Sequence, residues 1–303
     1  MVVTAKLVKE LRDMTQAGML DCKKALEGVD GDIEKAVDIL REKGLAKAAK
    51  KAGRIAAEGI VQTAFTDDHK KAAIIEVNSE TDFVSKNPEF VEFVDKLSQK
   101  ALEAGSECMD EFKALEYEAG TTVEEALTAK ISTIGENMNI RRFHKMQTPG
   151  VVYTGYIHGG GKIGVIVGIE TEATAEEVAT VGKDVAMQVA SMNPRFVKDD
   201  EVDQQWLDHE VEIAKQELLN EGKPEHLLEK IIPGKIKAIL KEVCLVDQKF
   251  VKDSEITVSQ YVDAEAKKLG KDMKVVEMVR YEVGEGMEKK EEDFAAEVAS
   301  MQK

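Results

Sequence analysis

The chain has 303 residues, 43% of them apolar and 33% charged, which leaves room for two or three domains with their own cores and excludes a wholly disordered chain. Its 42 Lys and Arg stand against 58 Asp and Glu, a net charge of −16 that argues against a polyphosphate partner. The longest apolar run, 163–169, is far too short to span a bilayer, and no secretory signal opens the chain, so neither membrane nor nucleic acid is an expected partner.

Residues 1–44 read as three short helices. Thr4 is placed to cap the first, with Leu7, Val8 and Leu11 on one face. Gly28 is the expected stop of the second. Asp30 or Asp32 starts the third, with Ile33, Ala36, Val37 and Leu40 on one face and Gly44 as its end. The basic surplus of the chain lies next to it: Lys43, Lys47, Lys50, Lys51 and Arg54 precede any acid until Glu58. Without interleaved aromatics to stack on bases, this run reads as a basic helical linker, 45–57.

From Glu58 the texture changes to α+β. "GIVQTAF" and "AAIIEVN" form a hairpin across "TDDHK". A helix follows, capped by Asn87 with Pro88 at its first position, then a loop over 103–122, a helix over 123–134 and the strand "NIRRFHKMQ". The pattern then recurs. At an offset of 91 residues, Ile60, Val61 and Thr63 fall on Val151, Val152 and Thr154, and Ile74-Ile75 on Val165-Ile166. Two related α+β subdomains with antiparallel sheets are therefore expected, 58–148 and 149–198 with 244–284. The second is interrupted by a helical hairpin over 199–243, bent at Gly222-Lys223-Pro224 and broken at Pro233-Gly234. Its apolar stripe of Trp206, Val211, Ile213 and Leu218 marks a self-association element. A C-terminal helical module, 285–303, ends the chain.

No catalytic constellation emerges. "GGGKIG" (159–164) satisfies G-x-G-x-x-G, but a strand follows it where a phosphate site needs a helix, so it reads as a hairpin turn. "HGGG" at His158 has no G-x-S-x-G nucleophile elbow to serve. Cys22, Cys108 and Cys244 are widely separated and give neither a disulfide framework nor metal-ligand spacing; a reducing, cytoplasmic setting without cofactor or metal is expected. One corner stands out. In "EVNSETDFVSK" (76–86) a phenylalanine follows an aspartate where turns recruit polar residues and glycine. Phe83 either packs back on the next helix or reaches outside the protein. The matching corner of the second half, Thr171 to Thr174, closes without an aromatic.

That segment resembles the signature of the elongation factor Ts family, and "LRDMTQAGMLDCKKAL" (11–26) resembles its second signature. "IGENMNIRRF", "YIHGGGKIGV" and "RYEVGEGMEKKEEDFAAEVA" are also similar to family blocks, so the resemblance covers nearly the whole chain. It implies a ubiquitin-associated-like N-terminal domain, a two-subdomain core, a helical dimerisation insert and a small C-terminal module. It also implies the partner, elongation factor Tu in its GDP-bound and nucleotide-free forms, and nucleotide exchange without covalent chemistry. By this resemblance Thr81, Asp82, Phe83 and Val84 would enter the nucleotide-binding domain of the GTPase and disturb its magnesium site. Arg12, Met19 and Leu20 would form an N-terminal contact, and His158 a contact from the core. Met19-Leu20 and Gln248-Lys249-Phe250 depart from the family's commoner Met-Met and Gln-Pro-Phe. The alternative reading is a ubiquitin-associated-like adaptor on a passive scaffold.

Overall fold

Thr4 Oγ1 accepts a hydrogen bond from the Leu7 N–H (3.3 Å) and so starts α1 (Ala5–Thr15). The structure, a computed structural model, describes residues 3–15 and 17–288; the helix expected from "EEDFAAEVASM" lies outside them. After α2 (Met19–Gly28), Asp32 caps α3 (Ile33–Ala49) by accepting from the Lys35 N–H. The three helices meet over Val8, Leu11, Cys22, Ala25, Leu26 and Ala36.

β1 (Glu58–Phe65) and β2 (Ala72–Ser79) pair antiparallel, from Glu58 opposite Ser79 to Phe65 opposite Ala72. A short helix, α4 (Asp82–Ser85), precedes α5 (Pro88–Glu103), which Asn87 caps. α6 (Met109–Ala114), β3 (Glu116–Glu118) and β4 (Thr121–Thr122) lead to α7 (Val123–Ile134), begun by a reciprocal Thr122–Glu125 capping box and ended by left-handed Gly135. β5 (Met138–Met146) returns along β2, giving sheet order β1-β2-β5. β2 is buried at every position because helices cover one face of its sheet and a second sheet covers the other.

The second half repeats this plan. β6 (Val151–His158) and β7 (Ile163–Thr171) form the hairpin, α8 (Ala175–Met192) follows under a Thr174–Glu177 capping box, and the long hairpin α9 (Gln204–Asn220) and α10 (Glu225–Val243) intervenes. β8 (Lys249–Phe250), β9 (Asp253–Thr257), α11 (Val258–Leu269) and β10 (Met273–Glu282) complete it, with sheet order β10-β7-β6. In both sheets the second hairpin strand is central and a later strand flanks it antiparallel. Val61, Ala72, Ile74, Met146, Val151, Tyr153 and Ile166 fill the layer between the sheets, so the α+β halves share one interface.

Several expectations need correction. Gly44 does not end α3, which continues to Ala49; Gly44 is in helical register and buried against Ser132 and Thr128 of α7, whose support outweighs the propensity of glycine. Residues 103–122 are not a plain loop. They hold α6 and the β3–β4 hairpin, secured by Phe112, which is buried 4.5 Å from Phe143 between ring centroids. Pro233 does not break the second helix of the insert: α10 passes through it. Part of the insert's apolar stripe is used at home. Leu218 is buried with Ala214 and Leu228 inside the hairpin, and Trp206 sits edge-on to Phe196 at 5.3 Å, while Ile213 is exposed.

Candidate functional site

The connection from β2 to α5 takes eight residues, 80–87, whereas the equivalent connection from β7 to α8 takes three, 172–174. In the second half buried Ala173 and the capping Thr174 close the corner directly. The first half inserts α4, and its second residue is Phe83, 81% exposed. Such exposure of a phenylalanine leaves a large apolar area in water. The turn beneath it is firmly built. Val84 is buried in the core of the first half, and Ser85 Oγ donates to Asp82 O (2.7 Å). Glu136, just before β5, accepts from the Thr81 N–H (3.0 Å) and from Thr81 Oγ1 (2.7 Å). Asp82 pairs with Lys86 at 2.6 Å; that hydrogen bond, with Lys162 at longer range, holds its carboxyl below the usual carboxylate range. The result is an apolar ring held out from a polar, pinned base.

His158 ends β6, exposed, with Nδ1 2.9 Å from Tyr156 Oη. The turn after it, Gly159 to Gly161, is left-handed at all three glycines, which fits a hairpin turn rather than a phosphate loop. Gly161 lies against Ile60, and its carbonyl accepts from the Val61 N–H at 2.7 Å; Lys162 pairs with Glu58. The His158 turn thus packs on the first residues of β1, and α4 also contacts β1, with Val84 in the same core cluster as Ile60.

Met19 and Leu20 open α2 and are 58% and 74% exposed, with Met14 also exposed nearby on α1. Arg12 and Met19 line one cleft between the N-terminal helices and α7. Asp21 turns inward and takes Lys43 (2.5 Å) and Lys47 (3.1 Å), whose hydrogen bonds lower its pKa and leave Met19 and Leu20 facing out. Among the described residues, four of the five cations of the basic run bond within the chain: these two, Lys51 to Gly135 O, and Arg54 to Glu80. Among the described residues no group of three or more His, Cys, Asp and Glu is placed to hold a metal ion, and no helix is long and apolar enough to cross a membrane.

The family profile described as Elongation factor TS matches residues 80–285. A protein named Elongation factor Ts from Clostridioides difficile strain 630 is 54% identical over 301 residues, covering 99% of both chains. Those from Clostridium novyi strain NT and Clostridium perfringens strain SM101 are 51% and 49% identical over 299 and 300 residues, with at least 98% of each chain covered. The chain belongs to the elongation factor Ts family. On this elongation factor Ts protein, Phe83, Met19 and Leu20 are exposed apolar side chains, and His158 is exposed at the end of β6.

Sequence reasoning missed several residues that support this elongation factor Ts surface. Glu136 and Asn137 grip the finger base from 55 or more residues away, and only their place in "IGENMNIRRF" hints at it. Glu76, fully buried in β2, accepts from Arg141 Nη1 (3.0 Å), Arg142 Nε (2.7 Å) and the Gly284 N–H (2.8 Å), tying the segment after β10 to the first sheet. Its charge is buried with two cations and several donors, the condition under which a buried carboxylate is tolerated. Of the Gln248-Lys249-Phe250 segment that the sequence singles out, Gln248 and Phe250 are buried, Gln248 accepting from Gln188 Nε2 (3.0 Å), while Lys249 between them is exposed.

Proposed function

We propose that the protein binds elongation factor Tu carrying GDP and promotes release of the nucleotide, leaving a nucleotide-free complex that GTP then resolves. The observation that carries this reading is Phe83, held 81% exposed on a base fixed by Glu136, Val84 and Lys86. A GTPase holds its nucleotide through a phosphate cradle and a bridging Mg²⁺. An apolar ring wedged between helices of that domain displaces the elements that position the metal ligands, and packed elements convert a small shift into a discrete one. With Mg²⁺ gone, the diphosphate loses its countercharge. By linkage, a factor that binds best to the empty GTPase weakens nucleotide binding by the same factor. No residue of this chain needs to make or break a covalent bond. Asp82, Phe83 and the flanking Thr81 and Val84 form the wedge and its root, His158 adds a contact beside it, and Arg12, Met19 and Leu20 dock the N-terminal helices. The exposed ends of the α9–α10 hairpin are where self-association through 199–243 would occur.

The test is release of fluorescent GDP from elongation factor Tu with the wild-type protein and with Phe83→Ala. A release rate for the variant far below wild type, yet measurably above the unstimulated rate because the other contacts remain, is expected; a wild-type rate would remove Phe83 from the mechanism. Co-purification gives the independent check, a stable complex forming without nucleotide and dissolving when GDP is added.

A further inference from the structure

We infer that Glu136 is the positioning residue of the α4 finger, and that the three-residue turn 135–137 locks the finger and the N-terminal linker to one another. The inference rests on the reading of Phe83 as a wedge. Both carboxylate oxygens of Glu136 are used on one residue of the finger root: Oε2 takes the Thr81 N–H at 3.0 Å and Oε1 the Thr81 hydroxyl at 2.7 Å. The neighbouring Asn137 N–H donates to Glu80 Oε1 at 2.5 Å, so two successive residues of the root are held by two successive residues of the turn. Thr81 has no side-chain bond to the α4 backbone, and the hydroxyl that would ordinarily cap that helix is committed to Glu136 instead. The other side of the same turn holds the linker. Asn137 Nδ2 donates to Arg54 O at 2.8 Å, Lys51 Nζ donates to Gly135 O, and Arg54 reaches Glu80 at 3.5 Å. Left-handed Gly135 ends α7 there and directs the two following residues to the root.

A four-residue helix has little stability of its own, so the direction of the Phe83 ring depends on what clamps its root. Charge-assisted hydrogen bonds are the strong kind, and two from one carboxylate fix orientation as well as distance. Val84 anchors the finger in the core and the Asp82–Lys86 pair closes it on itself; Glu136 fixes the root where the chain enters it from β2.

The experiment is a double-mutant cycle read by fluorescent-GDP release from elongation factor Tu at saturating and subsaturating factor. Glu136→Gln keeps the size of the side chain but removes the charge and one acceptor. It is expected to lower the maximal release rate about tenfold, the scale of losing charged hydrogen bonds, with little change in the half-saturating concentration. In a Phe83→Ala background it is expected to have little further effect, because a positioning residue acts through the ring it positions. Equal slowing in both backgrounds, or a wild-type rate for Glu136→Gln, overturns the positioning role. Thr81→Val repeats the test from the other side of the bond, with Thr81→Ser expected to restore the rate, should the Glu136 variant fold poorly. A wild-type rate for Phe83→Ala itself sinks the wedge and is distinguishable from both.

Discussion

Phe83 and Val84 are neighbours in a four-residue helix and face opposite surroundings. Val84 is 7% exposed in a core cluster, whereas Phe83 is 81% exposed. Truncating Phe83 to Ala removes little buried surface, so Phe83→Ala is expected to leave the unfolding free energy unchanged within about 0.5 kcal/mol. Val84→Ala deletes buried methyl groups and is expected to cost about 1–2 kcal/mol. Urea unfolding of both variants checks the pair; a destabilised Phe83→Ala would mean that the ring packs at home. The Asp82–Lys86 pair does not complicate measurements near neutral pH. A carboxyl held below its ordinary value of 3.8 makes its contribution above that pH and loses it only as pH falls through the lowered value. Phe83 was legible in the sequence because an aromatic in a polar turn is conspicuous against the ordinary chemistry of turns. Glu136 was not legible, since its partner lies 55 residues away and one glutamate among 58 acidic residues carries no local signal.

Helices with strong caps and one apolar face read correctly from the sequence, as α5 and α7 show, because cap and periodicity are local. The errors came where a distant element decided the outcome. Six-residue α6 is too short for a periodic signal and is held by Phe112 on Phe143, a strand away. Pro233 loses one backbone hydrogen bond, which ends many helices, yet α10 continues because it packs along α9 through Leu228, Ala214 and Leu218. Gly44 carries a usable consequence. Its backbone is helical, and a Cβ built there would lie 3.8 Å from Ser132 Cβ and 3.9 Å from Thr128 Cγ2, ordinary contact distances. Gly44→Ala should therefore fit without displacement and gain the helix propensity of alanine, stabilising the protein by about 0.5–1 kcal/mol. A higher midpoint in urea or thermal unfolding is the expected result; a lower one would mean that α3 and α7 cannot spare the room.

The two halves are joined more closely than a shared layer of side chains requires. His69, in the turn between β1 and β2, gives its carbonyl to the Tyr153 N–H (2.9 Å) and brings Nδ1 to within 2.8 Å of Tyr153 O, so the first hairpin's turn is bonded to a strand of the second half. Tyr153 in turn donates through Oη to Glu277 (2.9 Å) and accepts from the Thr148 N–H (2.9 Å). The repeat in the sequence foretold two similar halves but not this interlock, which depends on side chains that differ between them. One close approach between the halves is at Gly164 on β7. A methyl group there would land on Val61 Cγ1 and lie 3.2 Å from Ile157 Cδ1, and Val61 is a buried, β-branched residue of β1 with no room to turn. Gly164→Ala must push β7 away from β1 and is expected to destabilise the protein by about 1–3 kcal/mol, the usual result of overpacking. The same strand pair carries the turn with His158 and, through β1, the ground on which α4 stands. A loss of stability alone would show Gly164 to be a packing residue. Slower GDP release at a temperature where the variant is fully folded is the stronger expectation, because separating β7 from β1 moves the His158 turn relative to the finger.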